Sequence, residues 1–275
     1  MRYRLIATDI DGTLLNDEGQ VTGRARAALA ELERRGATVV LTTARPPRRI
    51  GELYRELGLT GPVIAYNGGL AYEPLTGRTL FAHTMEVQIA LQVVAAMRAV
   101  APGASLGMEL EDHWHVDQFS PRFQELKEQG LLTDMPFFGP LEEALSTTTR
   151  GVNKLYFYPA PGLRALFEQR LEEAGISSQV YVTSSNSASN FTEILPGGVN
   201  KGAALRALAA ILGIPREATL YLGDEEADMP ALQEAGLGIA MGNAPDRVKQ
   251  AARVVTGPNT ADGWADAIEE HVLAG

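Results

Sequence analysis

Apolar residues in the first third of the chain fall into short unbroken runs, and between the runs they recur three and four positions apart. Tyr3–Thr8 and Ala37–Thr43 are runs of the buried-strand type, and Val63–Tyr66 repeats the pattern after Gly61-Pro62. Thr22–Arg35 has helical spacing and stops at Gly36, while Pro46-Pro47 opens a second helix. Strand runs separated by helices predict parallel β-α-β units with right-handed crossovers. The rhythm returns in the last third: a helix over Lys201–Leu212, a strand over Thr219–Leu222, a helix over Pro230–Ala235 and a strand over Gly238–Met241. Two more helical patterns follow, at Pro245–Ala252 and Ala261–Val272.

The middle reads differently. Val87–Val100 is an amphipathic helix; Leu106–Leu110 and Trp114–Phe119 form a hairpin around Glu111-Asp112-His113. A strand over Val152–Tyr158, a helix over Leu163–Ala174 and a strand over Gln179–Thr183 complete the segment. Strands that follow one another without helices predict an antiparallel α+β unit. The fold class expected is therefore α/β: a Rossmann-like, doubly wound, mainly parallel sheet, built from residues 1–84 and 188–275, with an inserted α+β cap over 85–187. Loops near Ala82–Glu86 and Ser184–Asn190 join the two.

Composition narrows the function classes. The 275 residues include no Cys, which excludes thiolate metal sites and a cysteine nucleophile. A net charge of −10 disfavours nucleic acid and anionic membranes as partners. At first sight it also disfavours an anionic small substrate. The apolar stretch at the N-terminus is too short for a signal peptide and no helix pattern reaches membrane-spanning length, so the chain reads as cytoplasmic. Oligomeric state is not legible.

Candidate chemistry gathers at strand ends, where open α/β sheets bind ligands. Asp9-Ile10-Asp11-Gly12-Thr13 follows the first strand. Asp9 and Asp11 start on one face, and Gly12 permits the turn that lifts both. One carboxylate can accept a phosphoryl group while the other moves a proton, although an ordinary strand-end turn also suits this pattern. Thr42-Thr43-Ala44-Arg45 ends the second strand and offers either a phosphate contact or a plain helix cap. Gly197-Gly198-Val199-Asn200-Lys201-Gly202 leads into a helix, with one of only four lysines at its start; the Walker spacing is absent. Gly223-Asp224-Glu225-Glu226-Ala227-Asp228 crowds four acidic groups, a costly arrangement unless a cation collects them, and all-oxygen ligands without Cys point to Mg²⁺.

These segments, in this order, resemble the haloacid dehalogenase superfamily, and within it the Cof-like phosphatases with an inserted type IIB cap. The stretches that carry the resemblance are Asp9–Leu14, Thr43–Pro46, Asn67-Gly68-Gly69, Gly198–Gly202, Gly223–Asp228, Ala235–Ala244 and Asn259–Trp264. The resemblance implies a Mg²⁺-dependent phosphatase of small phosphorylated metabolites, sugar phosphates or phosphorylated cofactors, whose cap selects the substrate. It implies that Asp9 is the nucleophile, forming an aspartyl-phosphate, and that Asp11 is the general acid and base. Thr43 and Lys201 would stabilise the transferring group, with Gly12, Ala44, Arg45, Asn67 and Gly68 as further phosphate or substrate contacts. Mg²⁺ would lie on the Asp9 carboxylate, the Asp11 carbonyl and Asp224, with Asp228 beside it, and Glu225, Glu226 and Asn243 would stand behind these. An Asp is ionised at neutral pH unaided, so the nucleophile is expected to need no base.

One departure stands out. The family usually has Asn where this chain has Ala227, which would weaken support for Lys201 and for metal-bound water, so reduced activity is expected. A phosphomutase on the same scaffold and a catalytically weakened phospholigand-binding protein are the competing readings. Gly103–Gly107 matches a nucleophile elbow but follows a helix, and His113 and His115 lack further metal ligands; neither is taken as a site.

Overall fold

A computed structural model describes residues 1–110, 112–118, 125, 128, 134–184 and 191–274. The chain divides into two compact units, one made of Met1–Ala82 and Val199–Gly275, the other of His83–Gly198.

The strands of the chain, in order, are β1 (Leu5–Asp9), β2 (Thr38–Thr42), β3 (Val63–Ala65), β4 (Leu70–Glu73), β5 (Arg78–Ala82), β6 (Leu106–Leu110), β7 (His113–Val116), β8 (Phe137–Phe138), β9 (Lys154–Phe157), β10 (Val180–Thr183), β11 (Thr192–Pro196), β12 (Thr219–Gly223), β13 (Leu237–Ala240) and β14 (Val254–Val255). The first unit holds an eight-stranded sheet in the order β14-β13-β12-β1-β2-β3-β4-β5. From β14 to β3 every pairing is parallel, and the β4–β5 hairpin closes the edge in antiparallel sense.

Both faces of the central parallel strands β1, β2, β3, β12 and β13 are covered, which is why those strands are mostly apolar. Ile6, Val39, Leu41, Leu220 and Leu222 pack on one face with Ala28, Leu29, Leu32, Trp264 and Ile268. Leu5, Ala7, Val40, Ile64 and Tyr221 pack on the other with Leu205, Leu208, Ala231 and Val248. The alternation along β1 thus feeds two cores, and complete burial of each Leu or Ile contributes about 1.5–3 kcal/mol. The helix over Gly23–Arg34 starts where Thr22 accepts a hydrogen bond from the Ala25 amide at 3.2 Å. The helix over Lys201–Ile211 starts where the Asn200 side chain accepts from the Ala203 amide at 2.8 Å. That second cap places Lys201 in the first turn, at the carboxyl edge of the sheet.

The second unit holds a six-stranded sheet in the order β10-β11-β9-β6-β7-β8. It is antiparallel except between β7 and β8. Met97, Leu106, Met108, Leu155, Phe157, Phe167 and Ile194 are buried in one core. The alternate residues Glu109, Lys154 and Glu193 are also buried, and Lys154 Nζ meets Glu193 Oε1 at 2.7 Å.

One expectation needs correction. The inserted unit does not end at residue 187; it runs to Gly198, because β11 pairs with both β9 and β10. The strand escapes the sequence pattern because its second residue, Glu193, is a buried charge whose partner stands on β9. The β4–β5 hairpin was not foreseen either. Glu111 and residues 185–190, assigned above to a hairpin turn and a return loop, lie outside the described residues. Among the described residues, no helix is long and apolar enough to cross a membrane.

The helices over Lys201–Ile211 and Met229–Glu234 touch at Gly202, where a Cβ would stand 2.4 Å from the Pro230 carbonyl oxygen. Gly202→Ala gains about 1 kcal/mol of helix propensity. The overpacking, against a backbone oxygen that cannot rotate away, costs about 1–3 kcal/mol. The variant is expected to unfold at lower urea concentration than wild type; an unchanged or raised midpoint would show that the helices separate freely.

Candidate active site

The parallel register brings four strand ends together. β1 lies between β12 and β2, so Asp9, at the end of β1, lies between the turn after β12 and the end of β2. The chain turns immediately after Asp9: Gly12 has φ +77°, a conformation that favours glycine. A Cβ at Gly12 would also lie 2.3 Å from Asp224 Oδ2, so the missing side chain makes room for the acidic turn after β12.

Lys201 sits at the centre of the cluster, only 2 % exposed. Its Nζ donates to Asp9 Oδ1 at 2.5 Å and to Asp228 Oδ1 at 2.7 Å. Asp228 Oδ1 also accepts from the Tyr221 hydroxyl at 2.6 Å, while Oδ2 accepts from the Asp224 and Glu225 amides at 3.0 and 2.9 Å. Asp224 Oδ1 accepts from Thr13 Oγ1 at 2.6 Å, and Asn243 Nδ2 lies 3.3 Å from Asp224 Oδ2 and donates to the Gly12 carbonyl at 2.9 Å. The Asn259 amide donates to Asn243 Oδ1 at 3.0 Å and fixes that side chain. Beneath the nucleophile candidate, Trp264 Nε1 donates to Thr8 Oγ1 at 2.9 Å, and that hydroxyl donates to the Asp9 carbonyl at 2.8 Å.

Asp9, Asp224 and Asp228 each place a carboxylate oxygen within 4.8 Å of the others'. With Lys201 the formal charge of the buried group is −3 + 1 = −2. Burial pushes the Asp9 carboxyl well above its usual range; Lys201 opposes this, while Asp228, Asp224 and Asp11 add to it. Burial and the neighbouring Asp228 push Asp224 up to about 7. Burial alone would lower the Lys201 ammonium, but Asp228 and Asp9 more than offset it and hold the lysine charged. Against the expectation that Asp9 ionises unaided, a desolvated carboxylate among like charges relies on neighbouring cations to stay ionised. A net charge of −2 on buried oxygen donors fits a hard divalent cation, and Asp9 and Asp224, with Asp228, are the side chains that could hold it.

The other sequence candidates divide. Thr43 is buried; its hydroxyl accepts from the Arg45 amide at 3.1 Å, its amide donates to the Ile64 carbonyl at 2.9 Å and its carbonyl accepts from the Asn67 amide at 2.9 Å. The loop after β3 is bent by Asn67 at φ +51° and Gly68 at φ +111°, and a Cβ on Gly68 would strike the Asn200 carbonyl at 2.5 Å. Ala44 lies in the same turn as Thr43. The Asp11 side chain stands apart from the buried cluster and pairs with Arg45 through Nε at 2.8 Å and through Nη2. Arg45, expected at a phosphate, is thus engaged by a carboxylate. Glu225 closes a capping box with Asp228, and Glu226 pairs with Arg247 at 3.0 Å. With Ala at 227, Lys201 is still held, by Asp9 and Asp228.

Thr13, Thr42 and Asn259 lie within motifs quoted above but carry no role of their own there, and Tyr221 is not among the candidates at all. Tyr221 carried a signal: a hydroxyl in an otherwise aliphatic strand end must find a buried partner.

A family model for haloacid dehalogenase-like hydrolases matches residues 6–268. The chain is 30% identical to the putative phosphatase YxeH of Bacillus subtilis, over 99% of both chains. It is 28% identical to that organism's 5-amino-6-(5-phospho-D-ribitylamino)uracil phosphatase YitU, over 97% of both. The crystal structure of TM0651 from Thermotoga maritima is similar with a TM-score of 0.78 and 26% identity, over 98% of this chain and 97% of that one.

The titrations have a consequence for metal binding. A carboxyl raised in the fold stabilises the folded state while protonated, and that contribution is lost as pH rises through about 7 for Asp224. A divalent cation bound at Asp224 would have to displace the proton at low pH and would relieve the repulsion at high pH. The rise in melting temperature caused by Mg²⁺ is therefore expected to be larger at pH 8 than at pH 5.5. An equal rise at both pH values would remove Asp224 from the metal site.

Proposed function

The chain belongs to the haloacid dehalogenase-like hydrolases and is a phosphatase of that family, and from its buried carboxylate–lysine cluster we propose that it hydrolyses small phosphorylated metabolites, with Mg²⁺, through an aspartyl-phosphate on Asp9. The observation that carries this reading is the Lys201 ammonium 2.5 Å from Asp9 and 2.7 Å from Asp228.

Asp9 and Asp224, with the Asp11 carbonyl, would hold the metal. Asp228 is the anchor of Lys201, because its two oxygens already accept four hydrogen bonds. When bound, Mg²⁺ supplies charge that keeps Asp9 ionised and offsets the negative charge of a phosphoryl group. The Asp9 carboxylate attacks phosphorus, and the bond from phosphorus to the substrate oxygen breaks as Asp11 gives that oxygen a proton. Asp11 then takes a proton from water, whose oxygen attacks the aspartyl-phosphate. Inorganic phosphate leaves and Asp9 is restored. Lys201 stands against the attacking oxygen and stabilises charge that grows toward the transition state. Thr43 and the turns at Gly12 and Asn67-Gly68 are placed at the strand ends to receive the phosphoryl oxygens.

The substrate class is sugar phosphates or phosphorylated cofactors; YitU, whose named substrate is a phosphorylated ribitylaminouracil, supports this reading and is matched over 97% of its length. Selection within the class belongs to the inserted unit, His83–Gly198.

Incubation with p-nitrophenyl phosphate and a panel of phosphometabolites, with and without Mg²⁺, tests the proposal. Metal-dependent release of phosphate is expected, and Asp9→Asn is expected to abolish it while the protein stays folded. Isomerisation without release would indicate a mutase, binding without turnover a phospholigand-binding protein, and activity surviving in Asp9→Asn would end the covalent mechanism.

A further inference from the structure

We propose that Tyr221 is a positioning residue for phosphoryl transfer, its hydroxyl, oriented by Thr42, fixing the Asp228 carboxylate that holds Lys201 against Asp9. The inference rests on the roles of Asp9 and Lys201 given above.

Tyr221 is completely buried in β12, between Leu220 and Leu222. A phenylalanine would pack the same core, so the hydroxyl is what needs explaining: buried without partners it would destabilise the fold. It has two partners. Tyr221 Oη donates to Asp228 Oδ1 at 2.6 Å and lies 2.9 Å from Thr42 Oγ1. Tyr221 and Thr42 stand on strands that flank β1, so the ring has to cross β1. The β1 residue in register with Tyr221 is Ala7, whose small side chain leaves that passage open.

Counting protons gives the hydrogen bonds a direction. An ionised carboxylate only accepts, and a phenol has one proton to give. Tyr221 therefore gives its proton to Asp228, and Thr42 gives its own to the Tyr221 oxygen. Asp228 Oδ1 is then shared between a phenol and the Lys201 ammonium, while the Asp224 and Glu225 amides hold Oδ2. The carboxylate is fixed at both oxygens, and Lys201 is divided between it and Asp9. Without the phenol proton, Oδ1 has the ammonium as its sole donor and draws it from the nucleophile. The hydrogen bonds of the Tyr221 hydroxyl go to Asp228 and Thr42, so its loss acts on the transition state through Lys201 and leaves substrate affinity alone.

The test compares Tyr221→Phe, Thr42→Val, Thr42→Ser and the double variant Tyr221→Phe/Thr42→Val, by steady-state kinetics with p-nitrophenyl phosphate, Mg²⁺ affinity by calorimetry, and thermal melting. Tyr221→Phe is expected to lower kcat by about 10–100-fold, the range for loss of groups that orient metal-site ligands. KM and Mg²⁺ affinity are expected to stay at wild-type values, the signature of an interaction felt in the transition state. Thr42→Val should fall in the same direction, Thr42→Ser should retain activity, and the double variant should be no slower than Tyr221→Phe. Should Tyr221→Phe fail to fold, the split between Thr42→Val and Thr42→Ser decides the matter. Wild-type kcat in Tyr221→Phe, a loss confined to KM or to Mg²⁺ affinity, or additive losses in the double variant would overturn the proposal. If Asp9→Asn is inert while Tyr221→Phe is fully active, the inference falls and the Asp9 mechanism stands; an active Asp9→Asn removes both.

Discussion

The site depends on one cation shared between two buried carboxylates. Lys201 Nζ lies 2.5 Å from Asp9 and 2.7 Å from Asp228, in surroundings where an unpaired charge of either sign would be costly. Helix geometry delivers it there: Asn200 caps the helix, Lys201 occupies the first turn, and the Gly202–Pro230 contact seats the helix beside its neighbour. Packing of the helix against the sheet and the chemistry of the sheet edge are therefore set by adjacent residues. The tightness at Gly12 and Gly68 has the same origin, since each lets backbone approach where a side chain would displace Asp224 or the Asn200 carbonyl.

One lysine does not balance three acids. The residual formal charge of −2 suits the arrangement to a divalent cation as well as to holding the fold together. An overall charge of −10 describes the molecule's average, and it argued against an anionic substrate only so long as the acidic groups were taken as dispersed. Where Asp9, Asp224 and Asp228 converge, a divalent ion added to Lys201 would neutralise the local charge. Burial, which raises the Asp9 carboxyl, is a cost in the metal-free protein and sharpens the dependence of the nucleophile on those cations.

Much of this was legible in the chain. The parallel sheet followed from apolar runs, because strands covered on both faces have no alternation to conceal. Asp9, Lys201 and Asp224 could be placed from their positions at strand ends and a helix start. What could not be read depended on pairing across the fold. β11 was hidden because Glu193 breaks its apolar pattern until Lys154 is brought to it. The partnership of Asp11 with Arg45 spans 34 positions and that of Thr42 with Tyr221 spans 179, and no local spacing encodes either. Desolvation is likewise a property of the assembled core, so the raised Asp9 carboxyl was invisible in a motif that suggests an ordinary, ionised aspartate. With Ala at 227, Lys201 is held by Asp228, which has backbone amides and a phenol behind it.

The claim on which the account turns is that Asp9 becomes phosphorylated. Rapid acid quench during turnover of p-nitrophenyl phosphate with Mg²⁺, followed by borohydride reduction and peptide mass spectrometry, reads this directly, since an acyl phosphate on aspartate is reduced to homoserine. The account predicts homoserine at position 9 and at no other aspartate, appearing only when substrate and Mg²⁺ are both present. Its absence at position 9 under turnover, or its appearance at Asp11 or Asp224 instead, would contradict it.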